Sequence, residues 1–258
     1  MSSSSSSVGR FVWYELMTSN VEAAKAFYTK VVGWQAEDAA VTGMTYTLFK
    51  VGEVHAAGLM ALTEDARNRG VPPCWTGYVA VDDVDAGSDQ FKKHGGAVHV
   101  PPRDIPNTGR FAIVADPQGA VLALFKGATP QQAPAFGTPG HVGWHELMAA
   151  DWEKAFAFYA TMFGWQKADA IDIGPMGKYQ LFTAGEQPIG GMFNKPAKIP
   201  APFWLYYFSI DAIDAGAERV KSGGGTIING PMEVPGDMWI VQCIDPQGAM
   251  FALVAPKK

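Results

Sequence analysis

Trp13-Tyr14-Glu15-Leu16-Met17 opens a pattern that runs through Phe27-Tyr28 to Gly33-Trp34-Gln35. It returns as Trp144-His145-Glu146-Leu147-Met148, Phe158-Tyr159 and Gly164-Trp165-Gln166, every match lying 131 residues further on. Asp116-Pro117-Gln118-Gly119-Ala120 likewise returns as Asp245-Pro246-Gln247-Gly248-Ala249, and Tyr78 to Asp82 return in outline as Tyr207 to Asp211, both 129 residues on. Self-similarity at a fixed offset is the mark of one structural unit built twice.

Within the first copy, Phe11 to Met17 alternates and is rich in apolar and aromatic residues, which predicts a strand. Asn20 offers a helix N-cap, and Glu22 stands in the first turn, where the helix dipole favours an anion. Ala23, Ala24, Phe27, Tyr28 and Val31 share one helical face, and Gly33 suits the left-handed residue that ends a helix. Asp151, Glu153, Phe158, Tyr159 and Gly164 take the same parts in the second copy. Strands follow near 35–39, 45–51 and 54–60, with Gly43 and Gly52 at the turns. The pattern then restarts: a strand over 75–81, a helix over 85–94 ending at Gly95-Gly96, and strands near 97–100 and 110–115. Asp116-Pro117-Gln118-Gly119 fits a type I turn, with Asp, Pro and Gly at its first, second and fourth places, and 121–125 forms the last strand. Each repeat therefore reads β-α-β-β-β twice, so the class is α+β and the chain holds four such modules.

The organisation that follows is a disordered Ser-rich arm over 1–8, a domain over 9–127, a linker over 128–139 and a second domain over 140–258. With 258 residues, 48% of them hydrophobic and 17% charged, the chain is globular. A net charge of -5 argues against a nucleic-acid groove. No apolar run approaches the roughly 20 residues that span a bilayer, and the serine run lacks the basic flank and apolar core of a secretory signal. The two cysteines, Cys74 and Cys243, fall at non-equivalent places and form no CxxC, which suits a reduced cytoplasmic protein. A small-molecule partner is expected, with the protein a monomer or homodimer.

The paired βαβββ modules, the Phe-Tyr then Gly at the end of the first helix, and the Asp-Pro-x-Gly before the last strand resemble the vicinal oxygen chelate superfamily. This superfamily includes glyoxalase I, extradiol dioxygenases, and bleomycin- and fosfomycin-resistance proteins. The duplicated Trp-x-Glu-Leu and Phe-Gly-Trp words are similar to a two-domain subgroup described as glyoxalase-like proteins, polyketide-tailoring hydroxylases or a mycobacterial antigen. The resemblance implies an incomplete barrel around a cavity in each domain, with metal ligands from the first, fifth and eighth strands. Carried onto this chain, those places fall on Trp13, Thr76 and Ala123, and on Trp144, Leu205 and Ala252. A divalent cation requires oxygen, nitrogen or thiolate donors, and these places supply none beyond the Thr76 hydroxyl, so no metal and no other cofactor is expected.

Strand alternation puts Trp13 and Glu15 on one face, with Tyr14 and Leu16 on the other; Trp144 and Glu146 repeat this. If Trp13 and Trp144 take the cavity-facing places, Glu15 and Glu146 face the cavities too, beside Tyr78, Val121 and Phe125, or Tyr207, Met250 and Val254. Two roles are open to the glutamates. They are general bases or ligand-gripping carboxylates with desolvated, raised pKa values, or they cap backbone donors or pair with Arg110. Trp239 stands at the place of Arg110 in the second repeat, which makes Glu146 the more perturbed. Of the histidines, His94 belongs at a helix end, His55 and His99 sit in hairpin strands without a carboxylate neighbour, His141 stands at the linker's edge, and His145 points away from Glu146. Two functions follow: a metal-independent lyase, isomerase or hydroxylase with a Glu base, or a non-catalytic protein that sequesters a planar antibiotic-like ligand.

Overall fold

The computed structural model describes residues 7–41, 44–129 and 137–258. The serine run over 1–6, the turn at Gly43 and most of the linker lie outside the described residues. The first module is β1 (Phe11–Thr18), α1 (Val21–Val32), β2 (Gln35–Val41), β3 (Met44–Val51) and β4 (Val54–Ala61). A short helix, α2 (Glu64–Asn68), leads to the second: β5 (Cys74–Ala80), α3 (Val84–Lys93), β6 (Ala97–Ile105), β7 (Gly109–Ala115) and β8 (Val121–Gly127). The third is β9 (Val142–Ala149), α4 (Trp152–Phe163), β10 (Gln166–Asp172), β11 (Lys178–Thr183) and β12 (Pro188–Asn194). The fourth is β13 (Phe203–Ser209), α5 (Ile213–Ser222), β14 (Thr226–Val234), β15 (Met238–Ile244) and β16 (Met250–Ala255). The fold is the α+β arrangement read from the sequence, with α2 as an addition. Thr63 caps α2 by accepting from the Ala66 N–H, and none of its residues is buried.

Each repeat contributes one eight-stranded sheet, in the orders β2-β3-β4-β1-β5-β8-β7-β6 and β10-β11-β12-β9-β13-β16-β15-β14. Neighbours consecutive in sequence pair antiparallel, whereas β1 with β4 and β5 with β8 are parallel across a helix. The helix ends behave as their residues dictate. Asn20 and Asp151 are extended and accept from the N–H of Ala23 and Lys154, and Gly33 and Gly164 close α1 and α4 at φ 90° and 71°. Ala24, Phe27, Tyr28 and Val31 make the buried face of α1, and Trp34 and Trp165 are 1% exposed.

The compact units do not coincide with the sequence halves. One joins the first module to the fourth, and the other joins the second to the third. Each compact unit therefore draws on both repeats. In the first-and-fourth unit, the Tyr28 hydroxyl donates to Asp245 Oδ2 at 3.0 Å and accepts from Trp75 Nε1 at 2.9 Å. Trp34 Nε1 donates to the Gly140 carbonyl at 2.6 Å, its ring stacks on Phe49 at 4.7 Å, and Phe27 meets Phe251 edge-on. The second-and-third unit repeats the device. Tyr159 donates to Asp116 Oδ2 at 3.1 Å and accepts from Trp204 Nε1 at 3.1 Å, while Trp165 Nε1 donates to the Gly9 carbonyl at 2.6 Å. The aspartates are those of the Asp-Pro-Gln-Gly turns. Asp116 Oδ1 takes the N–H groups of Gln118 and Ala120, and Asp245 Oδ1 takes those of Gln247 and Ala249. Burial outweighs these donors and raises both carboxyl pKa values.

Candidate functional site

The alternation of β1 is realised in its burial. Tyr14 and Leu16 are buried, whereas Trp13, Glu15 and Met17 are half-buried on the other face. Glu15 Oε2 accepts the Tyr46 hydroxyl at 2.9 Å, and that hydroxyl oxygen lies 3.3 Å from the donating Trp13 indole nitrogen. The three side chains form one directed chain in which the phenol proton is committed to the carboxylate. Burial, and then the charge of Glu15, raise the Tyr46 pKa well above its ordinary value, so the phenol stays protonated.

Register explains how Tyr46 reaches Glu15. Tyr46 on β3 stands opposite Met60 of β4, Leu48 stands opposite Gly58, and Gly58 in turn stands beside Glu15 of β1. The Tyr46 side chain leans diagonally over Gly58 to the next strand but one. The second repeat does the same. Tyr179 donates to Glu146 Oε2 at 3.1 Å, and Gly191 is the partner of Glu146 in the β12–β9 pairing. Glu146 is 6% exposed and so more deeply buried than Glu15.

The charge of the first glutamate is felt on β5. Cys74 is half-buried on β5, and its pKa is pushed up to about 11, first by burial, against a hydrogen bond with Thr76, with the charge of Glu15 adding to the rise. Thr76 itself is buried.

The other predicted lining residues lie on β5, β8, β9, β13 and β16. Tyr78 on β5 pairs in register with Ala123 of β8, and its ring lies 6.1 Å from that of Phe125 and 6.3 Å from that of Phe111. Val121 is half-buried at the head of β8. In the second repeat, Tyr207 pairs with Ala252, and its oxygen accepts from Gln242 Nε2 at 2.7 Å. Gln242 Oε1 accepts in turn from Asn229 Nδ2 at 3.3 Å. Met250 is half-buried at the head of β16, and Trp144 is half-buried on the face of β9 that carries Glu146.

Arg110 does not pair with Glu15. Its guanidinium takes Asp85 through two bonds of 2.7 and 2.9 Å and Asp104 through one of 2.9 Å, so a fully engaged fork sits on the outer hairpin instead. Its counterpart Trp239 lies under Lys258 Nζ at 5.1 Å. His55 does have a carboxylate neighbour, Glu37, at 3.0 Å, because β2 and β4 flank β3, whose Lys50 also donates to Glu37 at 2.8 Å. His94 caps the end of α3 on the surface. His145 stacks on Phe11 at 4.1 Å, and its Nδ1 lies 2.6 Å from the Ile189 carbonyl, which can only accept and so fixes the proton on Nδ1. Burial pushes its pKa down to about 4, so it is a neutral core residue.

Sequence reasoning missed Tyr46 and Tyr179. The signal was present, since both are tyrosines in the third strand of a repeat, but they lie 133 residues apart, outside the 131 and 129 registers that carry the other matches.

The residues at the metal places of the fold family do not suit a cation. Trp13 and Trp144 offer only an indole N–H, Ala123 and Ala252 offer a methyl group, Leu205 offers no donor atom, and Thr76 alone offers an oxygen, a single neutral hydroxyl. Among the described residues, no group of three or more His, Cys, Asp and Glu is placed to hold a metal ion. No helix among the described residues is long and apolar enough to cross a membrane.

A sequence model of the Glyoxalase/Bleomycin resistance protein/Dioxygenase superfamily matches residues 10–124 and again 138–253. CFP32 of Mycobacterium tuberculosis, provisionally named a glyoxylase, is 32% identical over 246 residues, covering 95% of this chain and 94% of its own. The anthracycline biosynthesis protein DnrV of Streptomyces peucetius is 31% identical over 258 residues, covering 95% and 93%. In fold, the chain is similar to the Mn(II)-bound glyoxalase of Novosphingobium aromaticivorans, with TM-score 0.64, 18% identity and coverage of 97% and 83%. It is also similar to homoprotocatechuate 2,3-dioxygenase of Brevibacterium fuscum, with TM-score 0.67, 13% identity and coverage of 96% and 81%. The duplicated βαβββ modules, the turn aspartates and these matches together make the chain a member of the Glyoxalase/Bleomycin resistance protein/Dioxygenase superfamily, with two tandem copies of its domain.

Proposed function

We propose that the protein binds a planar aromatic small molecule carrying hydroxyl or carbonyl groups, with Glu15 and Glu146 as the acceptors that orient it and Trp13 and Trp144 as stacking surfaces. The observation that carries this reading is the Glu15–Tyr46–Trp13 chain: a carboxylate held by a phenol on a half-open face of β1, beside an indole. Aromatic surface with a few placed polar groups is the usual make-up of a small-molecule site. The name of DnrV as an anthracycline biosynthesis protein supports a polycyclic ligand.

The chemistry open to such a site is proton transfer. A glutamate within hydrogen-bond reach of an acidic C–H or O–H takes the proton onto its carboxylate, the electron pair passes to the adjoining carbonyl, and the proton returns at another position. That describes an isomerase step assisted by a carboxylate, or a lyase step where the electron pair expels a leaving group and the proton stays on the departing fragment. Binding without chemistry, as in a sequestering protein, uses the same groups.

Titration with 1,8-dihydroxyanthraquinone and with unsubstituted anthraquinone, followed by tryptophan fluorescence, tests the reading, with product analysis of each mixture. The hydroxylated probe should bind more tightly, and Glu15→Gln or Glu146→Gln should narrow the preference. An enzyme using Glu146 loses turnover in Glu146→Gln while affinity stays within about tenfold; a sequestering protein changes in affinity alone. Equal binding of the two probes, insensitive to both substitutions, would overturn the assignment.

A further inference from the structure

Gly58 and Gly191 sit in mid-strand, where glycine weakens a sheet unless another group needs the space. Neither has a positive φ, so the backbone does not demand glycine at either place. Space does. A Cβ on Gly58 would overlap the hydroxyl and ring of Tyr46, and a Cβ on Gly191 would overlap the ring of Tyr179. Each glycine is also the cross-strand partner of the glutamate that the tyrosine reaches, Gly58 of Glu15 and Gly191 of Glu146. The tyrosine, the glycine and the glutamate thus recur as a set in both repeats, on three adjacent strands.

We infer that Tyr46 and Tyr179 are positioning residues that hold Glu15 and Glu146 in one orientation, and that Gly58 and Gly191 keep open the path by which each tyrosine crosses to its glutamate. This deepens the reading above and rests on the glutamates being the site's acceptors. A carboxylate that accepts a fixed phenol has its plane set before a ligand arrives, which lowers the ordering cost of binding. In the first repeat the Trp13 indole adds a second control, since its N–H occupies the phenol oxygen and turns the phenol proton toward Glu15.

The test needs no ligand, so its failure is distinct from a failure to bind anthraquinones. In protein labelled with ¹³C at the glutamate carboxyls, the resonances of Glu15 and Glu146 are assigned at pH 8 from Glu15→Gln and Glu146→Gln. Tyr46→Phe should shift the Glu15 resonance and leave that of Glu146 in place, and Tyr179→Phe should do the reverse. Gly58→Ala, which leaves both partners chemically intact, should shift Glu15 in the same direction as Tyr46→Phe. Urea unfolding gives the second readout. Gly58→Ala should lower the midpoint in the wild-type background and have no effect in a Tyr46→Ala background. If Gly58→Ala alone does not fold, rescue by Tyr46→Ala supports the clearance role, and failure of that rescue overturns it. An unmoved Glu15 resonance in Tyr46→Phe, or an equal loss from Gly58→Ala in both backgrounds, also overturns the inference.

Discussion

Tyr28 donates its hydroxyl to Asp245 at 3.0 Å across 217 residues of chain, fastening the first helix of one repeat to the last turn of the other. Tyr159 returns the bond to Asp116. Each phenol oxygen is braced by an indole N–H, from Trp75 or Trp204, so each phenol proton points to its carboxylate.

Tyr28→Phe and Tyr159→Phe should each destabilise the protein by about 1–3 kcal/mol, because each leaves a buried carboxylate oxygen without its donor. The two bonds lie in different compact units and share no partner, so the double variant should lose about the sum. Urea unfolding of the single and double variants measures this.

A chain severed between residues 129 and 137 should not yield two halves that fold separately. Tyr28 and Trp34 would lack Asp245 and Gly140, and Tyr159 and Trp165 would lack Asp116 and Gly9. The two fragments mixed in equal amounts should regain near-native circular dichroism and cooperative unfolding, and neither should do so alone.

His145 makes stability depend on pH. Its pKa is near 4 when folded, against an ordinary histidine value of about 6.5 when unfolded, so the unfolded chain binds the proton more readily. Its contribution is complete above about pH 6.5 and is lost as pH falls toward 4, to a total of roughly 2–4 kcal/mol. His145→Leu should flatten the stability profile across that window, read from urea midpoints at half-unit steps of pH.

Cys74 reports on Glu15. The carboxylate is one of the groups that raise the thiol's pKa, so Glu15→Gln should lower it from about 11 and speed alkylation by iodoacetamide at pH 8. Cys243, raised to about 12 by burial, should react slowly and be unchanged by the substitution. Mass spectrometry of alkylated peptides separates the two sites.

Gly33→Ala and Gly164→Ala should each cost about 1 kcal/mol, for a reason opposite to that at Gly58. An added Cβ at either helix end meets nothing within 4 Å, whereas φ is 90° and 71°. Thermal unfolding gives the loss.

The modules were legible because their signals are local. Asn20, Asp151, Gly33 and Gly164 act within one helical turn, and the Asp-Pro-Gln-Gly turn closes on its own backbone through Gly119 N–H to the Asp116 carbonyl at 3.0 Å. The face shared by Trp13 and Glu15 followed from strand alternation alone. What stayed hidden depends on partners distant in sequence. Nothing near Tyr28 names Asp245, and strand order alone pointed Arg110 at Glu15, whereas the outer hairpin brings Asp104 and α3 brings Asp85 to its fork. Tyr46 and Tyr179 were hidden by the two-residue change of offset that separates them from the strands that announce the repeat.

The reciprocal latch also governs how the two repeats can change over generations. A substitution at Tyr28 is felt by the turn of the other repeat, so a repeat transplanted from another gene must bring both a tyrosine and an aspartate that suit its host. Tyr78 lies against Phe111 and Phe125, and Tyr207 accepts from Gln242. There the copies have already parted: Ile113 stands in one where Gln242, with Asn229 behind it, stands in the other. The duplication therefore leaves the latch held to one pattern in both repeats, while the surroundings of Tyr78 and Tyr207 have diverged.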